Sequence, residues 1–544
     1  MRSVALHGAL GALVLTAASV VPSGSAPVAA PFPLRDARST AGTTSATGTA
    51  SAAGTASAAS AAAAAGIDWT DCPAAEQLPA PVECGKVTVP VDYARPGGEK
   101  IRLTVSRRRA TGPARQGALL YNPGGPGGNG MSFPMYASAF GDRVWRKLNK
   151  AYDFVGYAPR GVGRSAPLTC GESARGRSAA RPARSPRDPS AAYKRAMRRK
   201  AAAYAAACAA RAGDRLDHFT TPDNARDLEV LRAALGSGKL NFVGTSYGSY
   251  LGAVYATLFP GRVRRLVLDS VVDPRPGRVW YRSDLEQNIA FERRWLDWKR
   301  WVARHHSVYR LGRTPRAVQR QFDKVRATLD AGRVGGSAGR GVGSRQLLAD
   351  YVRVGYDAGT WPRHAAALSA FRRGDPRPLV AEAAPDRHGA AARANSDAVY
   401  NAVKCSDAPW PRDFARWDRD GTAVARRAPF QTWENAWTNL PCAYWHGERS
   451  RPVDVGARPG DLPPVLLLAA TRDPATPYEG AVRTWLRLPG SSLVTERGAG
   501  THGVAGGNTC VDRRLTAYLL HGRTPGRAAE CAARPAPRPL PDGS

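Results

Sequence analysis

Ser246 stands at the centre of Gly244-Thr245-Ser246-Tyr247-Gly248, a G-x-S-x-G pattern. In such a turn between a strand and a helix, the two glycines let the backbone reverse sharply while the hydroxyl stays exposed. The chemistry on offer is nucleophilic attack on an acyl carbon. Gly335-Gly336-Ser337-Ala338-Gly339 fits the same pattern, but it follows Arg333-Val334 in a glycine-rich stretch without a preceding apolar strand. That second copy reads as a flexible loop.

A serine hydroxyl is a weak nucleophile until a base takes its proton, and the base needs an acid to hold its tautomer. Sites on a strand-turn-helix of this kind run in the chain order Ser, acid, His. Only His502 and His521 lie beyond the plausible acids. His521 ends an amphipathic stretch and reads as a surface residue, whereas His502 sits in the loop Gly498-Ala499-Gly500-Thr501-His502-Gly503 just after a strand. Asp473 closes Val465-Leu466-Leu467-Leu468-Ala469-Ala470-Thr471-Arg472-Asp473, the end of the preceding apolar run. The oxyanion of a tetrahedral intermediate needs two donors. The amide of Tyr247 is one, and the glycine-rich turn Asn122 to Gly130 offers Gly125, with Gly124 in reserve. Gly125 to Gly130 also spells G-x-G-x-x-G, but Pro126 lies inside the turn and no clear acidic partner follows a second strand, so a dinucleotide is not expected.

The elements that must position these residues are legible around them. Short strand patterns cover Lys86 to Val91, Ile101 to Ser106, Ala118 to Tyr121 and Asp153 to Tyr157. Thr221 and Pro222 announce a helix with Leu228, Leu231 and Leu235 on one face, ending at Gly236. The run Leu240 to Val243 leads into the Ser246 turn, an apolar helix follows to Phe259, and Leu266-Val267-Leu268 reads as a buried strand. Strand, helix, strand in that order implies a mostly parallel central sheet with helices on both faces. From 275 to 460 the chain turns Trp- and Arg-rich with helical periodicity, as at Trp295, Trp298 and Trp301, which predicts a large inserted helical cap. Strands return at Val465 to Ala469 and Ser491 to Val494, with a helix from Asp512 to His521.

Arg2, an apolar run from Leu10 to Val21, and the small residues of Pro22 to Ala26 predict a secretory signal peptide over 1–30. The run is too short to span a bilayer. The Ala-, Ser-, Thr- and Gly-rich stretch within 31–66 predicts a disordered leader or pro-segment. Folded core is expected over 67–274 and 461–535, interrupted by the cap, with a tail at 536–544. Eight cysteines in an exported chain imply disulfides, and proximity favours Cys72 with Cys84, Cys170 with Cys208, Cys405 with Cys442, and Cys510 with Cys531. No C-x-x-C pair supports zinc or redox chemistry, and neither metal nor cofactor is expected. The net charge of +34 comes from arginine spread along the whole chain without a nucleic-acid-binding signature. Nucleic acid is therefore not an expected partner; association with anionic cell-wall polymer is compatible with this charge.

With these elements in place, the chain resembles the secreted tripeptidyl aminopeptidases and other proline-iminopeptidase-like α/β-hydrolases, from about Ile67 to Cys531. The matching stretches are Cys84 to Tyr93, NPGGPGG from Asn122, PRGVGRS from Pro159, GTSYGSYLG from Gly244, the Asp473 turn with Thr476-Pro477, and the His502 loop. The resemblance implies an α/β-hydrolase fold, an extracellular location and hydrolysis of peptides from a free amino terminus, with acidic groups receiving the substrate amine. Glu286 and Glu292, carboxylates on a cap helix, are candidates for that role. The same triad would also serve a carboxylesterase or lactonase, and a non-catalytic wall-binding homologue is a third reading. Two departures stand out. Ala158 precedes the PRG turn where many relatives have Asp, and Thr501 separates Gly500 from His502.

Overall fold

A computed structural model describes residues 46–138, 143–171, 184–332, 334–335, 341–384 and 389–540. The expected signal peptide, the first part of the leader and Ser337 lie outside the described residues.

Among the described residues ten strands form one sheet: β1 (Thr70–Asp71), β2 (Glu83–Pro90), β3 (Lys100–Arg108), β4 (Ala118–Asn122), β5 (Asp153–Tyr157), β6 (Leu240–Thr245), β7 (Val263–Asp269), β8 (Leu466–Ala470), β9 (Ser492–Arg497) and β10 (Ala528–Ala532). Their order is β1-β2-β3-β5-β4-β6-β7-β8-β9-β10. The pairings of β1 with β2, β2 with β3 and β3 with β5 are antiparallel, and all others are parallel. From β4 the chain moves to β5 on one side, and from β6 it moves to β7 on the other. The carboxyl ends of β4 and β6 thus flank a topological switch point, where open α/β sheets form a crevice.

Alternation along the central strands explains the layers. Leu120, Phe242, Leu266, Leu268 and Leu467 face one apolar core, while Leu119, Val243, Val267, Leu466 and Leu468 face another. Successive side chains of a strand point to opposite faces, so each strand must be covered twice. The helices Thr221–Ala234 and Tyr247–Leu258 cover the first face, and Arg143–Asn149 with Thr509–His521 covers the second. The Thr221 helix is capped one residue earlier than its sequence suggests. Thr220 accepts the Asp223 amide at 3.1 Å, and Thr221 instead donates its N–H and hydroxyl to Asp407 at 2.6 Å each.

Between β7 and β8 the described chain is helical apart from its connections, the longest an irregular stretch over 445–465, and one isolated bridge. Trp295, Trp298 and Trp301 of helix Tyr281–Arg304 are fully buried in a third core of their own, with Trp295 stacked on Trp298 and Phe430 at ring distances of 4.6 and 4.4 Å. The insertion therefore has an apolar centre that is separate from the sheet.

All eight cysteines pair: Cys72 with Cys84, Cys170 with Cys208, Cys405 with Cys442, and Cys510 with Cys531. No described helix is long and apolar enough to cross a membrane. The expected disordered leader is corrected from residue 46 onward, because Ala46–Ala65 is a helix packed on helix Thr221–Ala234. Thr55, Ala59 and Ala62 are buried along one side, and a Cβ on Gly54 would meet the Tyr93 carbonyl at 1.9 Å. Alanine is the best helix former, and small side chains let the backbone approach the core closely.

Candidate active site

Ser246 follows β6 at φ 60° and ψ −123°, a left-handed backbone for a non-glycine residue. Such strain persists only where surrounding contacts fix it. Here the Ser246 amide donates to the Asp269 carbonyl at 2.9 Å. A Cβ on Gly244 would lie 2.0 Å from the Gly248 carbonyl oxygen, and one on Gly248 would lie 2.5 Å from that of Asn122. Both flanking positions therefore require glycine.

His502 lies in the loop after β9. Its Nδ1 is 3.0 and 2.9 Å from the two carboxylate oxygens of Asp473, in the turn after β8. Asp473 is itself held by the amides of Ala475 and Thr476 at 2.9 and 3.0 Å and by the Thr476 hydroxyl at 3.0 Å. Burial disfavours an imidazolium at His502, but the Asp473 charge and hydrogen bond outweigh it, with help from Asp269, and raise its pKa above the ordinary 6.5. The extra Thr501 does not disturb this pairing. The His502 amide donates to the carbonyl of Tyr356 at 2.9 Å, so the inserted helices also steady the loop.

Asp269 was not singled out by sequence, yet it ties these pieces together. Its buried carboxylate accepts the amides of Val504 at 2.9 Å and Ala505 at 3.0 Å, while its carbonyl holds Ser246. Burial pushes its carboxyl pKa up, against those backbone donors. Its position at the end of a buried strand was the available signal. The Asp269→Asn variant should lose about 10²-fold in kcat with KM nearly unchanged, since a small misplacement of reacting groups costs that much. Its acidic pH limb should also move to lower pH, because the charge that helps raise His502 is gone.

The glycine turn after β4 runs beside Ser246. Gly125 and Tyr247 line the cleft with it. Gly124 is corrected as a reserve oxyanion donor, because its amide is spent on Asn122 Oδ1 at 2.9 Å. Its need for glycine is steric: a Cβ there would lie 2.4 Å from the Thr245 carbonyl oxygen and 2.9 Å from Ser246 Cβ. The PRG turn is structural. Arg160 is buried, pairs with Asp227 through bonds of 2.8 and 2.7 Å, and also donates to the carbonyls of Pro90, Val91 and His218.

The cleft over Ser246 has a volume of about 490 Å³. Its walls carry six carboxylates (Asp273, Asp284, Glu286, Asp397, Glu434 and Glu479) against two cations, Arg345 and Lys404. In a chain of net charge +34, the lining itself is rich in carboxylates, although Arg275, Arg278 and Arg483 outside it pair with three of them. Several of these acids are already paired: Asp273 with Arg275, Asp284 with Lys404 at 2.8 Å, Glu286 with Arg278, and Glu479 with Arg483 at 2.8 Å. Glu434 bonds Arg345 through Oε2 at 2.9 Å, leaving Oε1 buried without a hydrogen-bond partner.

Glu286 thus reaches the cleft, but Glu292 does not and is corrected. It lines a separate cavity of about 190 Å³ with Lys299, and accepts the Phe430 amide at 2.9 Å. Six residues along a helix turn a side chain by roughly 240° from its starting direction, so the two glutamates face different surroundings. The sequence carries no signal for Glu434, because its place in the cleft depends on how separate helices of the insertion meet.

Comparison with known proteins agrees with this architecture. A family model described as alpha/beta hydrolase fold matches residues 117–333, and one described as TAP-like protein matches residues 428–531. A tripeptidyl aminopeptidase of Streptomyces lividans is 50% identical over 87% of this chain and 88% of its own length. The serine protease Hip1 of Mycobacterium tuberculosis is 31% identical over 86% and 91% of the two chains. Carboxylesterase B of the same organism is 30% identical over 82% and 86%. Among solved structures, a hydrolase of Pseudomonas aeruginosa covers 74% of this chain and 88% of its own at 13% identity and a TM-score of 0.28, too low to carry an argument. The extent and identity of the first of these matches place the assignment beyond the fold: the chain belongs to the tripeptidyl aminopeptidase family of α/β-hydrolases and is a serine exopeptidase.

Proposed function

We propose that the protein releases tripeptides from the free amino terminus of peptide substrates through an acyl-enzyme at Ser246. His502 takes the Ser246 proton as the hydroxyl attacks the scissile carbonyl, then returns it to the leaving amine. Asp473 fixes the His502 tautomer and stabilises the imidazolium. The amides of Gly125 and Tyr247 receive the developing oxyanion. Water, activated by the same histidine, then hydrolyses the ester.

The observation that carries the exopeptidase reading is the acidic lining of the Ser246 cleft within a strongly basic chain. A peptide's free amine is a cation, and a carboxylate is its natural partner. Glu434 supplies one such charge at the cleft wall, beside Arg345, and Glu286 supplies a more exposed one. The tripeptide length follows the name of the Streptomyces relative.

A free-amine tripeptide anilide should exceed its N-acetylated form by about 10²–10³-fold in kcat/KM, the scale of breaking one buried ion pair. Glu434→Gln should narrow that ratio, mainly through KM. Equal turnover of the blocked substrate, or faster turnover of short acyl esters, would favour the carboxylesterase reading that one relative's name suggests.

The four disulfides fit an oxidising compartment, and with the signal-like start of the sequence they support export. The +34 charge favours retention on anionic wall polymer once outside.

A further inference from the structure

We propose that the inserted helical region holds a divalent transition-metal site, best suited to zinc, formed by Asp350, His364 and Glu382. The three residues come from three helices, Ser344–Tyr351, Trp361–Arg372 and Arg377–Ala383. One ligand atom from each lies within 4.8 Å of the others.

The histidine carries the argument. His364 is completely buried, and its Nδ1 faces the Thr360 carbonyl at 2.8 Å, which requires a proton on that nitrogen. Nε2 is then a bare lone pair, yet it stands 3.2 Å from Asp350 Oδ2. Neither atom has a hydrogen-bond partner, and both are shielded from water. Two electron-rich atoms held this close without water call for a cation between them. A second ring proton is poorly aimed, because no hydrogen bond forms along the N···O line. A metal would sit off that line: two ligands about 2.0 Å from a tetrahedral centre are about 3.3 Å apart, close to the separation found. An Nδ1 proton given to a backbone carbonyl is also the usual outer support of a metal-bound histidine.

The carboxylates are arranged to match. Arg353 approaches Asp350 Oδ1 and Arg363 approaches Glu382 Oε2, each at 3.5 Å, so neither arginine engages Asp350 Oδ2, the oxygen beside His364. The Glu382 side chain is 27% exposed and gives a path from solvent. A nitrogen and two carboxylate oxygens suit zinc better than calcium or magnesium, which prefer all-oxygen sites. Leu348 and Ala349, on the same helix as Asp350, wall the Ser246 cleft. The ion would therefore pin one wall of the cleft without touching the reacting atoms.

The test is metal content. The full protein, stripped with EDTA, incubated with zinc sulfate and dialysed, should retain about one zinc ion per chain by elemental mass spectrometry, and its Tm should rise. His364→Gln should reduce retained zinc to background and abolish the Tm rise. Should that variant fail to fold, Glu382→Gln alters a partly exposed ligand and should weaken binding about 10–100-fold. Cobalt in place of zinc should give visible d–d absorption in the parent protein. Failure of the parent to retain zinc, or equal retention by parent and variants, would overturn the proposal.

Discussion

Ser246→Ala is expected to lower kcat by about 10⁶-fold, the scale seen when the nucleophile of a working triad is removed. The substitution removes one oxygen and changes little else. Alanine occupies the φ 60° backbone at a cost similar to serine, and the amide bond to Asp269 at 2.9 Å involves only the main chain. Substrate KM should therefore stay within a few-fold, and the melting temperature should be unchanged. Stopped-time assays with a tripeptide anilide, run beside thermal unfolding, measure both. Substantial turnover by a properly folded variant would remove Ser246 from the mechanism.

Asp473→Asn should cost about 10⁴-fold in kcat, since an amide in place of the carboxylate favours the wrong tautomer of the base. Here the effect has a second part. The Asp473 charge is the main influence raising the His502 pKa against the burial that lowers it. Only neutral His502 can accept the serine proton. In the parent enzyme, activity should fall with decreasing pH through a midpoint above 6.5, and in the variant that midpoint should move down. Residual activity in Asp473→Asn with an unshifted acidic limb would mean that another group sets the state of His502.

The Ser246 turn could be read from the sequence because local chemistry dictates it. An apolar strand, two obligatory glycines and an apolar helix specify the elbow without help from distant residues, and chain order then leaves Asp473 and His502. Continuous apolar runs such as Leu266-Val267-Leu268 and Leu466-Leu467-Leu468 likewise announce strands buried on both faces. Low-contrast helices were harder. Ala46–Ala65 was expected to be disordered, yet its small residues are what allow close packing. Ala191–Ala212 is faint in the sequence for the same reason, burying only Met197, Ala201, Ala205 and Cys208 along one stripe. The edge strand β10 is similarly plain in sequence.

The lining of the cleft was the least legible part. Glu286 and Glu292 looked equivalent on one helix, but only helical phase and the packing of neighbouring helices decide which meets the cleft. Glu434, Asp284 and Lys404 arrive from helices far apart in sequence. Asp269 belongs to the same category: its strand was legible, but its grip on the His502 loop depends on a loop more than two hundred residues away.

The most direct test of the central claim is to label the purified protein with a fluorophosphonate and map the adduct by peptide mass spectrometry. The adduct should fall on Ser246, be blocked by excess free-amine tripeptide substrate, and be lost in His502→Ala. Modification of another serine, or no modification of a folded protein, would contradict an acyl-enzyme at Ser246.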